Sequence, residues 1–159
     1  MSVVDREEAA LQVKKMANML ASLYYHFSRE VIERLGEEEG RKLIAKVIEN
    51  YGRERGGQHR ENCLKAGLEV RPENYGQLPD VPSLGWEFER VEKGENPSHI
   101  RITKCPLAKY WIEKGFSSVG RLYCQVDQAK HQAYHPDSCL VHLANVLDGD
   151  EYCEMVVRR

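Results

Sequence analysis

Apolar residues recur at helical spacing through residues 5–35, where Leu11, Met16, Met19, Leu20, Leu23, Phe27, Val31 and Leu35 form one series. This spacing predicts a long first helix that packs the series on a core, with Gly36 as its stop. His26 lies inside the pattern and is read as a core or boundary histidine, not as a ligand. Residues 37–55 repeat the period with Leu43, Ile44, Val47, Ile48 and Tyr51, and glutamates sit favourably near the start. The run YGRERGGQHRENC then reads as a helix end with glycine stops, the helix resuming over residues 63–66. Pro72, Pro79 and Pro82 mark residues 69–85 as an ordered connection.

Beyond that connection the period changes. Residues 86–92 and 99–105 alternate around the turn KGENPS. They predict a hairpin with Trp86 and Phe88 on one face and Ile100 and Ile102 on one face, Cys105 siding with Thr103 and Arg101. CPLAKYWIEKG opens a short helix with Pro106 in its first turn. After Gly115 a central helix is expected to carry residues 120–136, capped by Ser117 or Ser118. Residues 139–147 and 151–157 flank Asp148, Gly149 and Asp150, a strong hairpin signal, with Cys153, Met155 and Val157 sharing a face. The predicted class is α+β: N-terminal helices packed with an antiparallel sheet made of two hairpins, which two helices separate. The expected organisation is one domain over residues 1–159, with a helical part over 1–68 and a sheet-and-helix part over 86–159.

The net charge of −2, with acids and bases mixed along the chain, argues against a nucleic-acid partner. No apolar run approaches the roughly 20 residues that span a bilayer. The start MSVVDREEAA is acidic and has no apolar segment, unlike a secretory signal. The 5 cysteines lack CxxC spacing and read as cytosolic thiols, so the expected location is cytoplasmic.

The candidate chemistry lies in GRLYCQVDQAKHQAYHP, residues 120–136. At about 100° per residue, Leu122, Val126, Ala129 and Ala133 share one stripe. Cys124, Asp127, His131 and His135 fall nearly opposite. A cysteine on a polar face suggests a lined cleft rather than open solvent. Cys124 and His131 are roughly 10 Å apart along such a helix, too far for a thiolate–imidazolium pair. Asp127 reaches His131, and it disfavours a thiolate at Cys124. Activation of Cys124 must therefore come from another element. The arginines of the second helix are either solvated or a fork, at Arg53 or Arg55, for a ligand carboxylate.

The segments CPLAKYW, YCQVD, HP and GDEYCEMVV together resemble the family of L-2-amino-thiazoline-4-carboxylic acid hydrolases. The likeness rests on Cys105 and Pro106, on Tyr123, Cys124 and Asp127, on Pro136, and on Gly149, Asp150 and Cys153. YGRERG resembles the family's glycine–arginine segment. What the resemblance implies is hydrolysis of a small cyclic amidine, opening a thiazoline ring toward a carbamoyl-cysteine. On that reading Asp127 or Asp150 pairs with the amidinium, and Arg53 or Arg55 holds the carboxylate. Either Cys124 or a water attacks the carbon between nitrogen and sulfur, with Asp127 or His131 as base. Tyr123, Cys105 and Cys153 complete the candidate binding set. No cofactor is required by these residues, although Cys105, Cys124 and Cys153 would suit a thiophilic metal if they converged. The helix-covered sheet also resembles vinyl-reductase-type small-molecule-binding domains, which leaves a non-catalytic sensory role open. Cys63 and Cys139 are expected as core packing, and the first helix is a candidate surface for a second copy.

Overall fold

The computed structural model describes residues 5–82, 84–91 and 99–158. Helix α1 spans Arg6–Leu35 and is capped by the Asp5 carboxylate, which accepts from the amides of Glu7 and Glu8. It stops at Gly36, as its sequence requires. The face that enters the core is not the expected one. Ala17, Ala21, Tyr24 and Ser28 are buried, whereas Leu11, Met16, Met19, Leu20, Leu23, Phe27 and Leu35 are exposed. His26 is exposed as well.

Helix α2 runs unbroken over Glu37–Lys65, so the glycines read as stops are interior residues. They are there for contact with a later helix. A Cβ on Gly52 would lie 2.6 Å from the Ala129 Cβ, and one on Gly56 would lie 2.1 Å from the Lys130 carbonyl oxygen. Only hydrogen fits where two helix backbones come this close. A 3-10 turn over Pro72–Gln77 follows, inside the segment read as a connection.

Strands β1 (Glu87–Arg90) and β2 (His99–Lys104) pair antiparallel, and the turn expected between them lies outside the described residues. Helix α3 (Pro106–Glu113) opens with Pro106, with Cys105 at its N-cap. The expected single helix over residues 120–136 is two: α4 (Ser117–Tyr123) and α5 (Gln125–Tyr134), meeting at Cys124. Phe116, not a serine, occupies the N-cap of α4, and Ser118 instead receives the Arg41 guanidinium. Strands β3 (Cys139–Ala144) and β4 (Cys153–Arg158) pair antiparallel, and the sheet order is β1-β2-β4-β3. Their connection is wider than a two-residue hairpin. A 3-10 turn over Val146–Asp148 and Gly149, at φ 101°, intervene.

The class is therefore α+β, with the helical hairpin followed by strand–strand–helices–strand–strand. The core centres on Tyr24, Trp111 and Tyr123, whose rings lie 5.1–5.4 Å apart. The Trp111 indole donates to the Ala21 carbonyl at 3.0 Å, and the Tyr24 hydroxyl donates to that of Val119 at 2.8 Å. Both polar tips are thereby satisfied inside the aromatic cluster. Leu140, Met155 and Val157 form a separate apolar cluster on the sheet with Ile100 and Ile102. No helix among the described residues is long and apolar enough to cross a membrane.

Candidate functional site

The close approach of α2 and α5 buries charge as well as hydrocarbon. Lys130, 9% exposed at its side chain, places its ammonium 2.6 Å from Asp80 and 2.9 Å from Asp127. Asp80 comes from the segment after the Pro72–Gln77 turn. It also accepts from the Tyr75 hydroxyl at 2.6 Å and pairs with the Arg55 guanidinium. Beyond Asp127 lies His142 of β3, whose Nε2 is 3.5 Å from the carboxylate. The result is a chain of groups: Arg55, Asp80, Lys130, Asp127, His142.

Burial raises the carboxyl of Asp127, but Lys130, then His142, more than offset it and hold it well below the usual carboxylate range. Asp80 is likewise lowered on balance, by Lys130 and Arg55 against its burial. Lys130 is pushed up, its two carboxylates outweighing the cost of desolvation. Such a paired arrangement keeps all three groups charged inside the protein. Asp127 keeps 21% of its side chain exposed, whereas His142 beyond it keeps 4%.

Cys124 stands at the joint between α4 and α5, one helical turn before Asp127. Its thiol is pushed up to about 12, by burial first and by the Asp127 charge second, with Asn145 and Arg121 opposing. Cys105 and Cys153 also feel Asp127, and each is raised chiefly by burial. At Cys105 the amides of Ala108 and Leu107, at the head of α3, partly offset that rise. Cys153 receives the Val146 amide at 3.5 Å. All three thiols lie within electrostatic reach of Asp127, from the α4–α5 joint, the head of α3 and β4. They do not form a metal centre: among the described residues, no group of three or more His, Cys, Asp or Glu side chains is placed to hold a metal ion.

Other expected site residues lie elsewhere. Arg53 is exposed and pairs with Glu49 at 2.8 Å. Arg55 is half-buried and committed to Asp80, so of the two arginines it alone joins the charge chain. His131 lies 3.7 Å from Tyr75, ring stacked on ring, with Ser138 Oγ 3.3 Å from its Nδ1. Burial and then Lys130 push it down to about 3, leaving a neutral ring under Tyr75. Asp150 is exposed and closes the β3–β4 connection by accepting the Asn145 amide at 2.8 Å. Tyr123 is buried among aromatic rings, its hydroxyl pushed up by burial and by Tyr51. Cys63 is fully buried, but Cys139 is exposed, against its expected place in the core. All 5 cysteines are free thiols. A surface groove of about 570 Å³, lined by Arg71, Pro72, Glu73, His135 and Asp137, includes none of them.

Sequence reasoning missed Lys130, Asp80, His142 and Arg121. Lys130 and Arg121 pass for solvated cations on helix faces. Asp80 lies between two prolines of a supposed connection. His142 sits where the β3–β4 register shifts, between His142 and Ala144. The one available signal was GRERG, whose glycines mark a close helix contact and hence the partner that fills it.

The family model for L-2-amino-thiazoline-4-carboxylic acid hydrolase matches residues 13–157. The chain belongs to this hydrolase family. No curated protein and no solved structure matches it. The match takes in α2, the Asp80 segment, α3, the Cys124 joint, α5 and the β3–β4 pair. The whole charge chain and all of the thiols therefore fall within the family's own span.

Proposed function

We propose that this hydrolase-family chain opens a small cyclic amidine of the 2-aminothiazoline-carboxylate type, with Cys124 and Asp127 at the reacting carbon. The observation that carries this reading is Asp127: an ionised, partly exposed carboxylate one helical turn from a thiol. A protonated 2-aminothiazoline is an amidinium, and a carboxylate receives its two nitrogens in a paired, charge-assisted contact. His142 Nδ1 is buried without a hydrogen-bond partner among the described residues, while its Nε2 faces Asp127 at 3.5 Å. Arg121 lies within electrostatic reach of Cys124 and Cys153, and it pairs with Asp148 at 2.8 Å. It is nearer the thiols than Arg53, which faces solvent and pairs with Glu49, and its exposed partner Asp148 yields to a substrate carboxylate more readily than the more buried Asp80 that holds Arg55.

A resting thiol beside an anion is a poor nucleophile. The substrate changes that. A cation about 4 Å from the sulfur is worth about 4 kcal/mol at an effective dielectric near 20, or about three pKa units toward the thiolate. In the covalent route the Cys124 sulfur bonds to the carbon between nitrogen and sulfur, and the ring C–S bond breaks. The ring sulfur leaves as a thiolate and takes up a proton. Water then attacks the same carbon, the Cys124–carbon bond breaks, and the thiol is restored with a carbamoyl-cysteine released. Asp127, held at so low a pKa, serves as charge partner and not as base.

The test is turnover of L-2-amino-thiazoline-4-carboxylate, followed by carbamoyl-cysteine formation. Cys124→Ala and Asp127→Asn are each expected to lose more than about a thousandfold in rate while circular dichroism stays native. Wild-type rates in both variants overturn the mechanism. Tight binding without product, in the unaltered chain, points instead to a ligand-binding role for the same site.

A further inference from the structure

Helix α1 carries two apolar stripes. The inner one, Ala17, Ala21, Tyr24 and Ser28, is buried. The outer one, Met16, Leu20, Leu23 and Phe27, is 64%, 40%, 68% and 56% exposed, and Met19 beside it is 64% exposed. Among the described residues no element covers this stripe. Its spacing is four, three, four, the spacing of a coiled-coil seam. Each of these side chains leaves on the order of 100 Å² open, so the stripe with Met19 offers roughly 500 Å², against about 800 Å² per partner in a standard stable interface. That is in the upper part of the range, about 300–600 Å², of the largest apolar patch on a typical monomer, a patch that is often an interaction site.

We propose that α1 pairs antiparallel with α1 of a second copy of this chain, about a twofold axis between Leu20 and Leu23. A four–three–four spacing reads the same in both directions. Antiparallel alignment therefore sets Met16 against the partner's Phe27 and Leu20 against the partner's Leu23, and the reverse holds by symmetry. Such self-complementarity is what a twofold interface demands and what an unrelated partner would not require. Opposed helix dipoles favour the same direction. The proposal does not depend on the hydrolase mechanism, because the outer stripe faces away from the buried side of α1.

Sedimentation equilibrium of the full chain is expected to give twice 18.3 kDa in the micromolar range. Leu23→Glu should weaken self-association at least a hundredfold with unchanged circular dichroism. Disulfide trapping reads the direction without relying on that variant. With exposed Cys139 replaced by Ser, chains carrying Met16→Cys and chains carrying Phe27→Cys should crosslink with each other and not with themselves. A monomer at every concentration, a dimer indifferent to Leu23→Glu, or Met16→Cys chains joining only their own kind each overturns the proposal.

Discussion

The outer face of α1 and the contact between α2 and α5 invert each other. The first leaves Met16, Leu23 and Phe27 in solvent, whereas the second buries Lys130 between Asp80 and Asp127. Hydropathy alone would assign each to the other's place. The difference comes from how closely backbones approach. Gly52 and Gly56 let α5 come so near α2 that little beyond the Ala129 methyl group fits between them, and the adjoining space is filled by paired charges. On α1 the small residues Ala17 and Ala21 do the same work, admitting Tyr24 and Trp111 and turning the larger side chains outward. Small residues decide which face goes in, and large ones take what is left.

Lys130→Met tests the buried side most severely. Removing the ammonium leaves two carboxylates facing each other, which should cost about 3–5 kcal/mol in urea unfolding. The same change should make the protein less acid-sensitive, because Lys130 is what depresses both carboxyl groups. Asp80 and Asp127 have folded pKa values below their unfolded ones. Their stabilisation is therefore present above about pH 4 and lost as pH falls through the folded values. Without Lys130 the folded values rise toward or above the unfolded ones, so that loss shrinks or reverses. A variant as stable as the parent at neutral pH would show that the charge chain contributes little.

Gly56→Ala should come next, at about 3 kcal/mol, because its methyl group meets the Lys130 backbone and not a movable side chain. His131→Phe sharpens the comparison through pH. The His131 pKa is lowered to about 3, so the unfolded chain binds a proton that the folded chain refuses between about pH 6.5 and 3. Stability should fall with pH across that window by up to about 1.4 kcal/mol per unit, and phenylalanine, which keeps the stack on Tyr75, should flatten the slope. Smallest of all, Gly57→Ala should stabilise by about 0.5–1 kcal/mol, since nothing lies within 4 Å of its Cβ position. Equal effects at Gly56 and Gly57 would mean that helix propensity, not close packing, explains these glycines.

Much of the fold was legible in local pattern. The period of α1, Gly36 as its stop, Pro106 at the head of α3, the alternation of β2 and β4 and the α+β order all follow from residues acting within a few positions of themselves. The nearness of Cys124 and Asp127, on which the proposed site rests, was legible too, since they are neighbours on adjoining helical turns whatever surrounds them. The partners of Asp127 were not. Lys130 on α5, Asp80 after the 3-10 turn and His142 on β3 are ordinary polar residues until α2 and α5 close on one another. Which histidine stands beside the carboxylate was decided the same way. His131 shares its helix but turns under Tyr75, while His142 arrives from a strand. Spacing along the chain sets which residues share a face. Which face is buried, and which distant charge it meets there, depends on how near two backbones can come, and that is settled only when the helices pack.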